Sequence, residues 1–494
     1  MEHWLRHQFT RHSSKLLFPL LGIRYECMLR QIDDYSWYYK SIKKVVKNQR
    51  VIVSDGNRPR LLSKIGGLWK LGATPCLLSP SLKSSTKEYC ESLIQTFPFP
   101  ASNAIDREAL VLFTSGTSSL KPKGVVLSHS NLLSQLQTLN DEIPSPLLND
   151  TSRTVALLPW THCYGLIGEC FMTIQRGGQM HPISKYHPLR YWTAIQRMSP
   201  TVLFTVPAVL QSLQSMHEQK LTTYFPHIPY ISRERMTKRI LLGSNIQYIV
   251  SGGASLPSFL KDYFYHELNV PILEGYGCTE MSPMIALQTE FCPKKNHDVG
   301  TLLPDVEYKI SPDDNELWVR GPNRFLYYLS EKGEHDASPF SVADENGEKE
   351  NDVSPFLWYA TGDLAKVVDR KIYLLGRKSL QVKTPNGRFL RLEDIENYVK
   401  EYHFTSLSDI KNIKNIKNIK KVGAWQDPKT GKIGVTVFVT PSGDTLPLHL
   451  VYENLNLTVY YASPSMLTVE SGILTQKGEL CRPVMAEMFK MCTK

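Results

Sequence analysis

Thr114-Ser115-Gly116-Thr117-Ser118-Ser119, with Lys121 and Lys123 just beyond, has the composition of an anion-binding loop. Small hydroxyl residues around a glycine let backbone N–H groups turn outward and approach a phosphate closely, and their hydroxyls add donors. The two lysines supply positive charge at the far side. No Gly-Lys-Ser/Thr follows at the G-x-x-x-x spacing, so this is not the loop of GTPases and kinase-like ATPases. A Ser/Thr-rich hairpin turn with solvated lysines fits the same residues. On this stretch alone both readings stand.

Three further stretches carry chemistry-bearing residues. In Glu274-Gly275-Tyr276-Gly277-Cys278-Thr279-Glu280, glycines on both sides of Tyr276 let its ring lie flat against a planar ligand. Glu280 offers a hard carboxylate to a cation such as Mg²⁺; a Gly-Tyr-Gly turn with a surface glutamate is the plainer alternative. Ala360-Thr361-Gly362-Asp363-Leu364 reads as a turn whose carboxylate suits ribose hydroxyls, or as a simple Asx-type turn. His162, within Leu158-Pro159-Trp160-Thr161-His162-Cys163-Tyr164-Gly165, could serve as a general base, but beside apolar residues it reads better as a packing or gating residue. No Ser-His-Asp or paired-carboxylate arrangement stands out.

The elements that must position these residues alternate in type. Ala109–Phe113 is an apolar run of strand character leading into the Thr114 loop, and Val125-Val126-Leu127 is a second run beyond it. Val51–Val53, Ala73–Leu78, Val155–Leu158, Val202–Val206 and Gln247–Val250 are further strands. Helical spacing falls on Leu61–Leu71 and on Asn131–Leu139, the latter capped from Ser128-His129-Ser130. This rhythm predicts a parallel, helix-flanked sheet, with ligands gathered at the carboxyl ends of its strands. Val422–Trp425 and Gly434–Val439, around a turn at Asp427–Lys432, read as a hairpin in a small C-terminal α+β unit. Ser330–Pro355 is polar and acidic, an exposed loop or insertion.

With 494 residues, 42% hydrophobic and 21% charged, the chain has room for two to four domains around ordinary soluble cores. No apolar run reaches the length of a membrane span. The net charge of +10, from 57 basic and 47 acidic residues, is spread along the chain and is compatible with anionic lipid, an acidic carrier protein or nucleic acid. The basic Ile-Lys-Asn repeats of residues 410–420 have no interleaved aromatics, so they read as a solvated expansion and not as a nucleic-acid site. Nine scattered cysteines without a C-x-x-C pair give neither a zinc site nor a disulfide framework, and a reducing, cytoplasmic setting follows. Residues 1–24 are basic and nearly free of acids. They fit an N-terminal helix packed on the body, ahead of a membrane-surface helix or a transit-like segment.

Taken in order, the segments FTSGTSSLKPKGV, LPWTHCYG, VPAVL, SGGASLP, EGYGCTE, VGTLLP, ELWVRGPN, YATGDL, LLGRK and GELCR resemble those of the adenylate-forming superfamily, from about Gly72 to Arg482. The resemblance implies a large N-terminal α/β domain of helix-flanked sheets, residues 1–376, and a small mobile C-terminal α+β domain, residues 377–494. It also implies ATP-dependent activation of a carboxylic acid, fatty by the general look, with transfer to CoA or to the phosphopantetheine of an acyl carrier protein. On it, Thr114, Ser115, Gly116, Thr117 and Lys123 surround the ATP phosphates. Gly252, Gly253 and Tyr276 frame adenine, Thr279 and Glu280 serve phosphate and Mg²⁺, Asp363 and Arg377 bind the ribose, and His162 with Gly253 borders the acyl pocket.

Four departures stand against that pattern. The phosphate loop is one residue longer, at Ser119-Leu120-Lys121. The N-terminal region is shorter. Ser379 occupies the hinge position, where Asp or Lys is usual, two residues after Arg377. The tail reads Leu474-Thr475-Gln476-Lys477-Gly478-Glu479, which puts Glu479 where the family's catalytic lysine follows the glycine and leaves Lys477 two residues earlier. A degenerate member that binds nucleotide or acyl ligand with little adenylation is the reading this last departure supports.

Overall fold

The computed structural model describes residues 1–96, 108–114, 122–184, 187–224, 238–239, 241–291, 298–330, 333–335, 357–383, 389–392, 395–396, 419–426, 433–439, 448–452, 455–462 and 485. By its internal contacts the chain divides into two compact units. The first holds most of the chain through Leu374; the second holds Gly362–Leu364 and the described residues from Leu375 onward.

In the first unit a six-stranded sheet runs, among the described residues, in the order Gly333–His335, Tyr327–Ser330, Lys123–Ser128, Glu108–Thr114, Thr74–Leu78, Arg50–Ser54. Glu108–Thr114 is buried on both faces and therefore reads as one continuous apolar run. Leu110 and Leu112 join Leu61, Ile65 and Leu68 of the helix Pro59–Lys70 in the main core. Val111 and Phe113 face Cys90, Leu93 and Ile94 of the helix Ser84–Thr96.

A second sheet has nine strands among the described residues. Its order is Glu307–Ile310, Glu316–Arg320, Tyr359–Val368, Lys371–Arg377, Asp298–Leu302, Met284–Leu287, Ile272–Gly277, Tyr248–Gly252, Val202–Thr205. Phe204, Val250 and Leu273 point into the main core, while Leu203, Ile249 and Ile272 point into a second core with Tyr191, Ile195, Leu260 and Phe264.

The expected parallel pairing holds for part of each sheet. Arg50–Ser54, Thr74–Leu78 and Glu108–Thr114 are parallel, as are Val202–Thr205, Tyr248–Gly252 and Ile272–Gly277. The pairings that carry the sheet onward from Glu108–Thr114 and from Ile272–Gly277 are antiparallel. The reason is connection length: a parallel neighbour needs a crossover of a dozen residues or more, and the links after Thr114 and Gly277 are shorter.

Helix His129–Glu142 begins as its sequence indicates. Ser128 Oγ accepts from the Asn131 backbone N–H at 3.0 Å and the Ser128 N–H donates to Asn131 Oδ1 at 2.9 Å, a reciprocal cap. The N-terminal helix Glu2–Arg11 packs on the body, burying Leu5, Gln8 and Phe9. In the second unit Ile419–Gln426 and Ile433–Val439 pair antiparallel, the expected hairpin, and Leu455–Ala462 adds alongside in parallel. Trp425 Nε1 donates to Thr436 Oγ1 at 3.1 Å across that hairpin. Most of the Ser330–Pro355 stretch and residues 410–418 lie outside the described residues.

Candidate active site

The carboxyl ends of three strands in the first unit carry sequence-predicted site residues. Glu108–Thr114 ends at Thr114, whose register partner Lys123 opens the antiparallel strand Lys123–Ser128. Ser115, Gly116 and Thr117, between them, lie outside the described residues. Tyr248–Gly252 ends at Gly252, followed by Gly253 in a left-handed conformation at φ +78°. A Cβ on Gly252 would sit 3.0 Å from the Gly275 carbonyl oxygen and 3.3 Å from the Tyr164 ring, so the absence of a side chain is what lets strand and ring approach.

In the Glu274–Glu280 stretch the plainer alternative, a Gly-Tyr-Gly turn, does not hold. Glu274–Gly277 is not a turn but the end of the strand Ile272–Gly277, with Tyr276 in register with Ala286. Tyr276 is buried and packs in the main core. The glycines around it serve strand packing: a Cβ on Gly277 would come within 1.9 Å of the Pro283 carbonyl oxygen. A single 3₁₀ turn, Thr279–Met281, then projects Thr279 and Glu280 from the strand end. Asn323 braces the segment after this turn, donating from Nδ2 to the carbonyls of Met281 at 2.9 Å and Met284 at 3.0 Å. Gln135 Oε1 accepts from the same Asn323 amide at 2.9 Å and from the Met284 N–H at 3.0 Å.

Glu280 is held at both ends. Its carbonyl accepts from the Phe325 N–H at 2.8 Å, and its Oε1 accepts from the Tyr328 hydroxyl at 2.7 Å. Burial, and then the Glu280 charge, pushes the Tyr328 phenol up in pKa; burial with Glu280 and Cys278 does the same for Tyr359. Both phenols are therefore firmly protonated at neutral pH. Lys123 Nζ lies over the Tyr328 ring, 5.0 Å from its centroid. One strand, Tyr327–Ser330, thus links Lys123 to Glu280. Neither Tyr328 nor Tyr359 was picked out by the sequence, because Tyr328 lies 48 positions from Glu280 and no local pattern joins them.

His162 sits at the entry to a π-helical stretch, Tyr164–Phe171, its carbonyl accepting from the Leu166 N–H at 3.0 Å. Its neighbour Cys163 reaches Thr279: the Sγ–Oγ1 distance is 3.2 Å. Tyr164 donates to the Val250 carbonyl at 3.0 Å. His162, Thr279 and the Gly252 strand end are thereby joined through Cys163 and Tyr164. Deeper on the same stretch, Glu169 is fully buried; its Oε1 accepts from Thr154 Oγ1 at 3.2 Å and its Oε2 has no hydrogen-bond partner among the described residues. Burial drives this carboxyl well above the usual range, so it is held protonated. A lone acid in the apolar run Leu166–Met172 was its only sequence signal.

In the second unit Asp363 is buried and Arg377 Nε donates to its Oδ1 at 2.9 Å. The expected turn at Ala360–Leu364 is instead the interior of the strand Tyr359–Val368, interrupted by Gly362 at φ +72°. The left-handed glycine bends the strand locally, which is what the Thr-Gly-Asp composition signalled without distinguishing a turn from a bent strand. Lys477 and Glu479 lie outside the described residues.

No group of three or more His, Cys, Asp or Glu side chains gathers as a metal cage among the described residues. Mg²⁺ carried with a nucleotide does not need one. It binds through one or two carboxylates together with substrate phosphates, and Glu280 beside the Thr279 hydroxyl is a donor set of that kind. The residues present fit such an ion.

Residues 87–329 match the family model of AMP-binding enzymes. Over that stretch the chain carries an AMP-binding domain. Among curated relatives, the long-chain-fatty-acid–CoA ligase 1 of Schizosaccharomyces pombe is 26% identical over 330 residues, covering 58% of this chain and 46% of that protein. The probable 4-coumarate–CoA ligase 1 of Dictyostelium discoideum is 29% identical over 296 residues, covering 56% of this chain and 47% of its own length. The chain thus matches these relatives over about half their length. Solved adenylate-forming structures cover nearly all of it. The o-succinylbenzoate CoA synthetase of Bacillus subtilis, in complex with its acyl-adenylate intermediate, aligns at TM-score 0.67 and 18% identity over 97% of both chains. The anthranilate CoA ligase AuaEII, in complex with anthranoyl-AMP, aligns at TM-score 0.70 and 15% identity, over 99% of this chain and 96% of that one. At these identities the likeness is one of fold.

Proposed function

We propose that this chain is an acid–thiol ligase that activates a carboxylic acid with ATP and passes the acyl group to a thiol. The observation that carries the reading is the aimed Glu280 carboxylate, fixed by Tyr328 beside Thr279 at the end of a sheet strand. A carboxylate oxygen of the acid attacks the α-phosphorus in line; its P–O bond forms as the bond to pyrophosphate breaks, giving acyl-AMP. The thiol sulfur then attacks the acyl carbonyl, its proton passes to solvent, and AMP leaves with the electrons of the acyl C–O bond. Mg²⁺ bound with the nucleotide supplies charge neutralisation at the phosphates. The chain's own residues position and stabilise: Thr114, Ser115, Gly116, Thr117 and Lys123 hold phosphate, and Gly252, Gly253 and Tyr276 frame the base. Asp363 and Arg377 take the ribose, and His162 with Gly253 borders the acyl group. Preorganised donors of this kind do most of the work in phosphoryl and acyl transfer.

Residues 1–376 form the activating domain in this reading and 377–494 a lid domain joined near Arg377–Ser379. The names of the long-chain-fatty-acid–CoA ligases among the relatives favour a fatty acid, and those of the 4-coumarate–CoA ligases an aromatic one. CoA is the acceptor that these names support, and an acyl carrier protein is the alternative. ATP–pyrophosphate exchange across a panel of fatty and aromatic acids tests the proposal. Exchange that depends on one class names the substrate; none with any acid sinks the activating role.

Glu479 favours a second reading, nucleotide and acyl binding with little adenylation. A glutamate at the lysine position sets like charge against the α-phosphate, a repulsion of roughly 1 kcal/mol at ~4 Å in water and several-fold more at a drier site. Glu479→Lys is expected to raise exchange by at least about tenfold, since single preorganised electrostatic contacts commonly change rates by more than that. If it does not, and Lys477→Ala abolishes exchange, Lys477 is the catalytic lysine.

A further inference from the structure

The helix Tyr25–Ser41 buries Tyr25, Met28, Ile32, Ser36 and Tyr39, and it packs tightly on the helix Pro59–Lys70. Its rotation is locked by two glycines: a Cβ on Gly66 would fall 2.8 Å from Ile32, and one on Gly67 would fall 2.9 Å from the Ser36 nitrogen. With that face fixed inward, Trp37 is left 63% exposed and Tyr38 36% exposed at the helix end. The chain beyond continues the pattern, with Ile42 57% and Val46 65% exposed. Scattered single apolar residues on a surface need no explanation, but four within residues 37–46 form a patch.

This tip is built, not frayed. Val45 is buried and donates its N–H to the Tyr39 carbonyl at 2.9 Å. The Val46 N–H is taken by Gln49 Oε1 at 3.1 Å, and the Asn48 N–H by the Gly72 carbonyl at 2.8 Å. Lys40, Lys43 and Lys44 between the apolar residues and Lys47 just after them are all exposed, and residues 35–54 contain no Asp or Glu. Asp33 and Asp34 lie on the preceding turn, and Asp33 is paired with Arg6 and Lys70.

We propose that residues 37–47 are a docking surface for an anionic lipid bilayer. Trp and Tyr rings suit the headgroup level, Ile42 and Val46 suit the acyl boundary just below, and lysine stems extend so that their ammonium groups meet phosphates. A protein partner is a poorer fit, because the centres of protein interfaces are depleted in lysine and here three lysines are interleaved with the apolar side chains and a fourth follows them. The surface lies on the interface without spanning it; no helix among the described residues is long and apolar enough to cross a membrane. It also differs from the N-terminal segment that the sequence offered for this role, since the apolar side chains Leu5 and Phe9 of that helix are buried.

The test is co-sedimentation of the full chain with phosphatidylcholine vesicles, with and without phosphatidylserine at roughly 30 mol %. The full chain should bind the serine-containing vesicles, more weakly as salt rises. Trp37→Ser/Ile42→Ser/Val46→Ser should lower the partition at least about tenfold. Lys43→Glu/Lys47→Glu should erase the preference for phosphatidylserine. All five positions are exposed, and an unchanged melting temperature checks that each variant folds. No binding by the full chain at low salt, or equal binding by the triple variant, overturns the proposal. So does a result in which vesicles are ignored while an acidic protein is bound through the same lysines. Vesicle binding requires no acid, ATP or turnover, so the outcome does not depend on the ligase reading.

Discussion

Glu280 keeps one carboxylate oxygen on the Tyr328 hydroxyl at 2.7 Å, and Lys123 lies over the same ring at 5.0 Å. A carboxylate so held need not be reoriented when a cation and phosphates arrive, and hydrogen bonds to charged groups contribute about 1.5–3 kcal/mol. Tyr328→Phe removes that bond while retaining the ring. It should raise the Mg·ATP KM about tenfold in pyrophosphate exchange and leave the melting temperature nearly unchanged. An unaltered KM would take Tyr328 out of the positioning role. Glu169 gives a second test, of stability. Its carboxyl is raised well above its ordinary value by burial, so the folded state keeps a proton that the unfolded chain releases above about pH 4.5. That linkage contributes stability at low pH and loses it as pH rises through the folded-state value. Glutamine resembles the protonated acid and cannot ionise. Glu169→Gln should therefore melt higher than the native chain by a margin that grows from pH 5 to pH 8, as followed by calorimetry. A margin independent of pH would mean that Glu169 is not the group that titrates.

At the scale of elements, the candidate site depends on where strands stop. The strand Ile272–Gly277 can hand over to the Thr279–Met281 turn only because Gly277 has no side chain to meet the Pro283 carbonyl oxygen, 1.9 Å from where a Cβ would be. Gly277→Ala should cost about 1–3 kcal/mol by overpacking. Because the strain falls beside Thr279, it should also reduce nucleotide affinity, whereas a control at exposed Gly22, which has open space around it, should not. Equal nucleotide binding by the two variants would separate the turn from the site. Such handovers are what the sequence conveyed least well. Apolar runs and a Ser128 cap placed Glu108–Thr114, Lys123–Ser128 and the helix His129–Glu142 correctly, because burial and capping are local signals. The expected turn at Thr361–Asp363 is a strand around the left-handed Gly362, and the turn alternative at Glu274–Gly277 gives way to a strand whose glycines permit close packing, because a glycine that permits close packing has the same letter as one that permits a bend. Tyr328, Tyr359 and Cys163 escaped notice for another reason: each acts through a partner far away in sequence, and only the folded sheet brings them together.

Over the whole molecule, the formal charge of +10 bears on which thiol would accept the acyl group in the proposed reaction. An acidic carrier protein would meet a long-range attractive field, which speeds encounter and is screened over a Debye length of about 8 Å at physiological ionic strength. CoA, small and held in a pocket, depends on close contacts that salt screens less. If a carrier protein is the acceptor, its apparent KM should climb steeply between low and physiological salt while the KM for ATP moves little. With CoA both should move little. The charges responsible are spread along the sequence, so no single lysine substitution should reproduce the salt effect, and reversing several exposed lysines together should. Brisk transfer to CoA with none to carrier protein at any salt would assign the acceptor to CoA and leave the excess charge to another partner, for which the lysines at residues 40–47 are placed.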